Sequence, residues 1–358
     1  MSLFIQLHVL KFYPPSNLNR DDTGRPKTAF MGGVERLRIS SQAIKRAIRK
    51  SDIFMTALKG HLGERTQRFG EEVENHLKAK GATPEKANAI AREIAAIFGK
   101  VEAESDKAEK GKRGEGLPSA RTLQLAFIGP NERATAMALA ERKLKGEKIE
   151  VTADLVLKHA ETAADVAMFG RMLADNPDFN REAAVQVAHA VTTHRVSVED
   201  DFYTAVDDLK KPSEDAGAGF MGELGFGSGV FYLYVCVDKN LLVNSLAGDE
   251  ALAKATLSAF VDALAKVSPT GKQASFASRA HASYILAERG VQQPRTLACA
   301  FARPVRGEDL IEDSIKALET TRDAIDKAYG ACADARETMN VSAKVGSLAA
   351  IQAFVTQW

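Results

Sequence analysis

The chain opens on a strand pattern and reaches a helix pattern only after a long, basic, glycine-punctuated loop, and this start constrains what the rest can fold into. Leu3, Ile5, Leu7 and Val9 alternate with Phe4, Gln6 and His8, the period of a strand with one face on a core. Ser40 or Ser41 then stands as an N-cap, where free backbone N–H groups offer an anion site. At about 100° per residue, Gln42, Lys45, Arg46 and Arg49 share one arc of the helix that follows, with Ala43, Ile44, Ala47 and Ile48 opposite. No Asp or Glu lies between Gln42 and Lys50, whereas ordinary solvent faces mix signs for i,i+4 support.

Downstream, residues 181–195 (REAAVQVAHAVTTHR) read as strand or helix, the helix favoured by the alanines. VFYLYVCV, residues 230–237, is the most strand-like run. A helix pattern from about 249 to 267 sets Leu252, Leu257, Phe260, Val261 and Leu264 on its apolar side. KQASFASRAHASYILAE and RTLACAFARPV read as strands, and about 308–329 as a helix before a tail that ends in Trp358. Stripped of insertions, the order is strand, helix, strand, strand, helix, strand. That is the split βαβ, ferredoxin-like or RNA-recognition-motif order, so the fold class expected is α+β.

The insertions are compositional. Residues 57–181 turn to Ala, Glu, Lys and Arg with helical periodicity, as in PEKANAIAREIAAIFGK, which predicts a helical lobe. Within it, residues 102–118 are charged and poor in apolar groups, the composition of a mobile loop. Its basic residues and the later Arg142, Lys143, Lys145 and Lys148 are interleaved with acids and read as solvated surface. Residues 196–229 are acid-rich and then glycine-rich without a sustained period, which predicts a protruding hairpin or functional loop.

Charge is unevenly spread. The first fifty residues hold ten Lys/Arg against three acids, a local charge of +7 in a chain of +1, so the remaining 308 residues sum to −6. A basic block of this kind suits a polyanion without making the whole surface adhesive. At 358 residues, 45% hydrophobic and 27% charged, the chain has globular composition and room for one elaborated domain or several lobes. The apolar start is too short to span a bilayer and carries no basic flank or cleavage site, which leaves the cytoplasm as the expected location. Cys236, Cys299 and Cys332 are far apart and odd in number, the pattern of reduced, half-buried thiols.

Candidate sites are few. His189 and His194, five apart, match no metal signature and read as structural or backbone-contacting. Asp21 and Asp22 lie among Arg20, Arg25 and Lys27; a metal or acid–base role is open to them, but loop-shaping ion pairs are the simpler reading. On the second face of the first strand, Phe4, Gln6 and His8 either stack on bases or lie under covering insertions, and both readings stay open. No phosphate-binding glycine loop, zinc motif or nucleophile elbow is present. The expectation is therefore no catalytic residue, no metal and no cofactor.

Taken together, LNRDD, the GG that precedes RxRISSQxxKRAxRKS, AHAVTTHRV, FYTAVDDL and GSGVFYLY resemble the backbone subunit of the type I-E CRISPR Cascade complex, the CasC family. The resemblance implies a right-hand fold with an RNA-recognition-motif palm (residues 1–56, 182–195 and 230–358), helical fingers (57–181) and a thumb hairpin (196–229). It implies copies polymerised head-to-tail along the spacer of a CRISPR RNA, guide bases presented to a target DNA strand, and contacts with other Cascade subunits. By motif, Arg20, Lys27, Ser40, Gln42, Lys45, Arg46 and Arg49 would hold RNA phosphates. Met172 would wedge near a base, and Phe202, Tyr203 and Thr204 would line a kinked nucleotide. Phe202 and Tyr203 stand where the family often has Trp-Phe. Two rivals remain: a metal-dependent endoribonuclease backbone subunit of an RNA-targeting CRISPR complex using Asp21 or Asp22, and a generic single-strand binder, for which stacking RNP-type aromatics would be expected.

Overall fold

The computed structural model describes residues 2–103, 118–159, 162–205 and 220–358. Two compact units divide the chain: Met1–Thr56, Gln186–Asp238 and Leu257–Trp358 form the first, Ala57–Val185 and Lys239–Thr256 the second. The strands are β1 (Phe4–Ser16), β2 (Thr28–Met31), β3 (Val34–Ile39), β4 (Glu64–Thr66), β5 (Ala126–Ile128), β6 (Val185–Val187), β7 (Ala190–Thr192), β8 (Glu199–Ala205), β9 (Phe220–Asp238), β10 (Tyr284–Gly290) and β11 (Ala335–Asn340). The helices are α1 (Ser41–Arg49), α2 (Asp52–Ala57), α3 (Phe69–Ala79), α4 (Pro84–Ala96), α5 (Pro130–Leu144), α6 (Ala153–Val156), α7 (Ala164–Phe169), α8 (Lys239–Ser245), α9 (Glu250–Lys266), α10 (Gln273–Phe276), α11 (Leu310–Tyr329) and α12 (Leu348–Val355).

The first unit is built on a sheet in the order β11, β10, β1, β9, β7, β3, β2. β1 runs antiparallel to both neighbours, with Leu7 opposite Val235 on one side and Ala287 on the other. Its centre, β10-β1-β9-β7, places the strands expected first and third side by side with the fourth and second outside them, as a split βαβ requires. The class is α+β. Residues 185–192 thus resolve as two short strands, with Val185 and Val187 buried.

Three local expectations are corrected. RTLACAFARPV is not a strand but carries a 3-10 turn, Ala298–Phe301; Leu297 and Phe301 are buried while Cys299 between them is exposed, whereas a strand would bury all three on one face. The outer strand is β11, in the tail, whose sequence ARETMN is mostly polar because only Met339 is buried. The basic loop also contains a hairpin, β2 against β3, closed by Gly32 and Gly33 at φ +62° and +78°. Two successive positive φ values are what a two-residue primed turn demands.

Gln6 and His8 are buried, which decides between the two readings of the first strand: both faces are covered. The His8 imidazole bonds the Tyr232 hydroxyl at 2.9 Å through Nδ1 and Glu288 at 3.2 Å through Nε2. Arg295 and Arg336 also donate to Glu288. Burial opposes ionisation of Glu288, but bonds from His8, Arg295 and Arg336 more than offset it and hold the carboxyl far below its ordinary range. Beside this network, Leu10, Tyr232, Tyr284 and Leu286 pack on Phe301 and on Ile315 and Leu318 of α11. Gln6 and His8 are therefore not left to contact a base, while Phe4 is half-buried and Phe12, farther along the same face, is exposed.

In the second unit, Val73, Leu77, Ile90, Ile94 and Leu139 bring α3, α4 and α5 around one core. Thr83 caps α4 with Pro84 behind it, a start signal the sequence carries openly. Arg171 and Glu132 form a fully buried ion pair, and Glu132 also accepts from the Gly129 amide. Residues 239–245 belong here as well, and Arg181 donates to the Ser245 carbonyl at 3.2 Å. The charged run is described only at its ends, since residues 104–117 lie outside the described residues. The cysteines are unpaired; Cys236 is buried, while Cys299 is exposed rather than half-buried.

Candidate nucleic-acid interface

Helix α1 is seated by Ile44 and Ile48, both buried, and this fixes which arc faces out. Gln42 and Arg46 are exposed and Lys45 and Arg49 half-buried. Burial lowers the Lys45 pKa. The Ser40 side chain accepts from the Ala43 amide at 3.3 Å, which makes Ser40 the cap. The Ser40 amide in turn donates to the Asn19 side chain at 2.8 Å, and the Lys27 amide donates to the Asn19 carbonyl at 2.8 Å. Asn19 therefore joins the basic loop to the helix start, and holds the segments that carry Arg20, Lys27 and Ser40 together. An open cleft of about 480 Å³ is lined by Arg20, Asp21, Asp22, Gly24 and Gly271.

The aspartates do not pair with the cations around them as the sequence suggests. Asp21 accepts from the Thr23 hydroxyl at 2.8 Å, the Thr23 amide at 2.9 Å and the Arg25 amide at 3.0 Å. These bonds, the Thr23 hydroxyl first, lower its pKa. Arg25 instead reaches across to β8, donating to both carboxylate oxygens of Asp200 at 2.7 and 3.3 Å. The buried Asn17 amide makes a parallel link, donating to the Gly24 carbonyl at 2.9 Å and the Gly225 carbonyl at 2.8 Å. Nor is every member of the basic block available. Arg36 is fully buried and donates to the carbonyls of Met31, Thr192 and Phe301. Lys11 is buried and donates to the Leu264 and Val267 carbonyls at 3.1 and 3.0 Å.

The β8–β9 hairpin rises from this loop, pairing Glu199 with Phe226 through Ala205 with Phe220; residues 206–219 lie outside the described residues. Phe202 and Tyr203 are exposed, 61% and 44%, and Thr204 is exposed too. Because strand side chains alternate, Phe202 and Thr204 share one face while Tyr203 takes the other, with its ring against Gly222, where an added Cβ would lie 2.7 Å from it. The three residues do not line one surface of a flat strand. Met172 lies in the second unit, 77% exposed.

Arg38 is not among the candidate site residues of the sequence, and His189 reads there only as structural or backbone-contacting. Arg38, on β3, donates through Nη1 to Nδ1 of His189 at 2.9 Å. The pair is 151 residues apart, and only the β3–β7 pairing of Arg38 with Val191 brings it together. His194 does meet its structural expectation: it accepts from the Val230 amide at 3.1 Å through Nε2, and its other ring nitrogen bonds the Arg195 carbonyl at 2.9 Å.

The family model for CT1975-like proteins (Cas_CT1975) matches residues 5–355, and the chain belongs to that family. Among solved structures, it is similar to a chain of a "CRISPR RNA-guided surveillance complex, pre-nicking", with 28% identity and TM-score 0.82 over 98% of this chain and 99% of that one. A chain of a second "CRISPR RNA-guided surveillance complex" shares the fold at 23% identity, TM-score 0.73 and the same coverage. No curated protein matches. Among the described residues, no helix is long and apolar enough to cross a membrane.

Proposed function

We propose that this chain is the CRISPR RNA-binding backbone subunit of a type I-E Cascade complex. Copies polymerise head-to-tail in the cytoplasm along the guide spacer and present it to a target DNA strand, alongside other Cascade subunits. One observation carries this: the acid-free arc of Gln42, Lys45, Arg46 and Arg49 on α1, locked through Ser40 and Asn19 to the loop that bears Arg20 and Lys27. Such a surface meets phosphates and ignores base identity, leaving sequence to base pairing, as in other RNA-guided effectors. In this reading the first unit contains the palm, the second the fingers, and the β8–β9 hairpin the thumb that crosses the strand. A heterologous interface that does not close into a ring suits such a filament.

The experiment is recovery of RNA with the purified protein. RNA of one defined length sharing a common handle is the expected result; heterogeneous cellular RNA would contradict guide binding. The subunit positions nucleic acid without cutting it. The Asp21 carboxylate is engaged by Thr23 and Arg25 within its own loop, so its first role is to shape that loop. The RNA-bound filament, incubated with labelled complementary RNA or DNA and magnesium or manganese, should leave both intact. Regularly spaced cuts that vanish in Asp21→Asn/Asp22→Asn, with assembly retained, would establish the endoribonuclease reading instead.

A further inference from the structure

A guanidinium is always protonated and only donates. Since Arg38 Nη1 points its N–H at His189 Nδ1, that nitrogen must carry a lone pair, and the imidazole is neutral with its proton on Nε2. His189 is exposed, and among the described residues Nε2 has no partner. Lys27 is the second cation whose charge acts on the ring. Its ammonium likewise makes no ion pair among the described residues, and its carbonyl accepts the Arg38 amide at 2.8 Å. Arg38 is oriented by the bond of its Nε to the Thr28 carbonyl at 3.3 Å. Two cations and an imidazole, with no carboxylate bonded to any of them among the described residues, form an arrangement short of an anion.

We propose that Lys27, Arg38 and His189 form a phosphodiester-binding site whose occupancy is coupled to protonation of His189. The inference rests on the RNA-binding reading and adds to it two residues and a linked proton. In the free protein, burial, Arg38 and Lys27, in that order, keep the imidazole pKa low. Protonation there would set two donors, Nδ1–H and Nη1–H, against each other. A phosphate oxygen between them accepts from both, while Nε2–H faces outward. RNA therefore favours the proton, and by reciprocity the proton favours RNA. The sign follows: the complex holds the proton to higher pH than the free chain, so affinity rises as pH falls from the bound pKa toward the free one.

The test is the affinity of RNA-stripped protein for a labelled single-stranded RNA from pH 5.5 to 8.5 at fixed ionic strength. Wild-type affinity should rise roughly tenfold toward acid, about one unit of coupled pKa change. His189→Gln, whatever its affinity at pH 8.5, should show no rise toward acid. A wild-type profile without a rise, or a variant that keeps the rise, would overturn the proposal. NMR titration of the wild-type His189 ring needs no variant: its midpoint should move up with RNA, and an unmoved midpoint would also overturn it. Absence of RNA binding by folded wild type at every pH would instead refute the RNA-binding reading on which the site depends.

Discussion

The cations of the insertion unit, interleaved with acids in sequence, and those of the first fifty residues, which face few acids, are used differently by the structure. In the insertion, Arg121 meets Glu71, Arg133 meets both Glu64 and Glu72, Lys143 meets Glu93, and Arg142 meets Glu147. There the charge is spent on the unit's own surface. On α1 the acids are absent, and in its loop Asp21 accepts from backbone amides while Arg25 bonds Asp200 of β8. What separates the two regions is therefore where the acids sit, and a count of lysines and arginines misses it.

The largest test concerns charge used for folding. Glu132→Ala strips the fully buried Arg171 of its anion and should cost about 3–5 kcal/mol in denaturant unfolding. RNA affinity of the molecules that remain folded should be unchanged. A loss under 1 kcal/mol would mean that the insertion's charge is not structural.

Lys11, like Arg36, is a cation of the basic block buried inside. Burial lowers its pKa from 10.5 to about 7, so between those pH values the unfolded chain holds a proton that the folded chain has released. Stability should therefore rise from pH 7 toward 10.5. Lys11→Met should flatten that slope, whatever it does to absolute stability, as read by denaturation midpoints at pH 6.5, 8 and 9.5. Parallel profiles would refute the assignment.

The smallest effect belongs to the exposed Arg25–Asp200 pair, both side chains 46% exposed. Asp200→Ala should weaken amide-exchange protection of Glu199–Thr204 by about fivefold at most, in line with the ~0.2–1 kcal/mol of a surface pair. Protection identical to wild type would mean that this pair does not hold the hairpin base, which then rests on links such as those of Asn17 to Gly225 and Ser16 to Gly227.

These contrasts also mark what the sequence made legible. The core of the sheet and helix α1 were readable because one face of each is buried, so their period survives in the residue pattern. β2 was hidden because none of its four residues is buried, and β11 because its edge position leaves it mostly polar. That Gln6 and His8 were covered was an open question, since the groups they meet, Tyr232, Tyr234, Glu288 and Arg295, lie more than 220 residues away along the chain. The Arg38–His189 contact was invisible for the same reason. Neither residue has a local signature, and strand pairing alone makes them neighbours. The withdrawal of Lys11 and Arg36 into the interior could not be read from charge counts at all.

The central claim is that α1 presents a basic face without acids of its own, whereas cations of the insertion such as Arg142 and Lys143 pair with its acids, and the salt dependence of RNA affinity tests it most directly. Lys45→Ala/Arg49→Ala should weaken binding alike for all RNA sequences and reduce the slope of log affinity against log salt by about one to two units. Arg142→Ala/Lys143→Ala should leave that slope unchanged within error. If the insertion variant flattens the slope and the α1 variant does not, the account of where this protein meets nucleic acid is wrong.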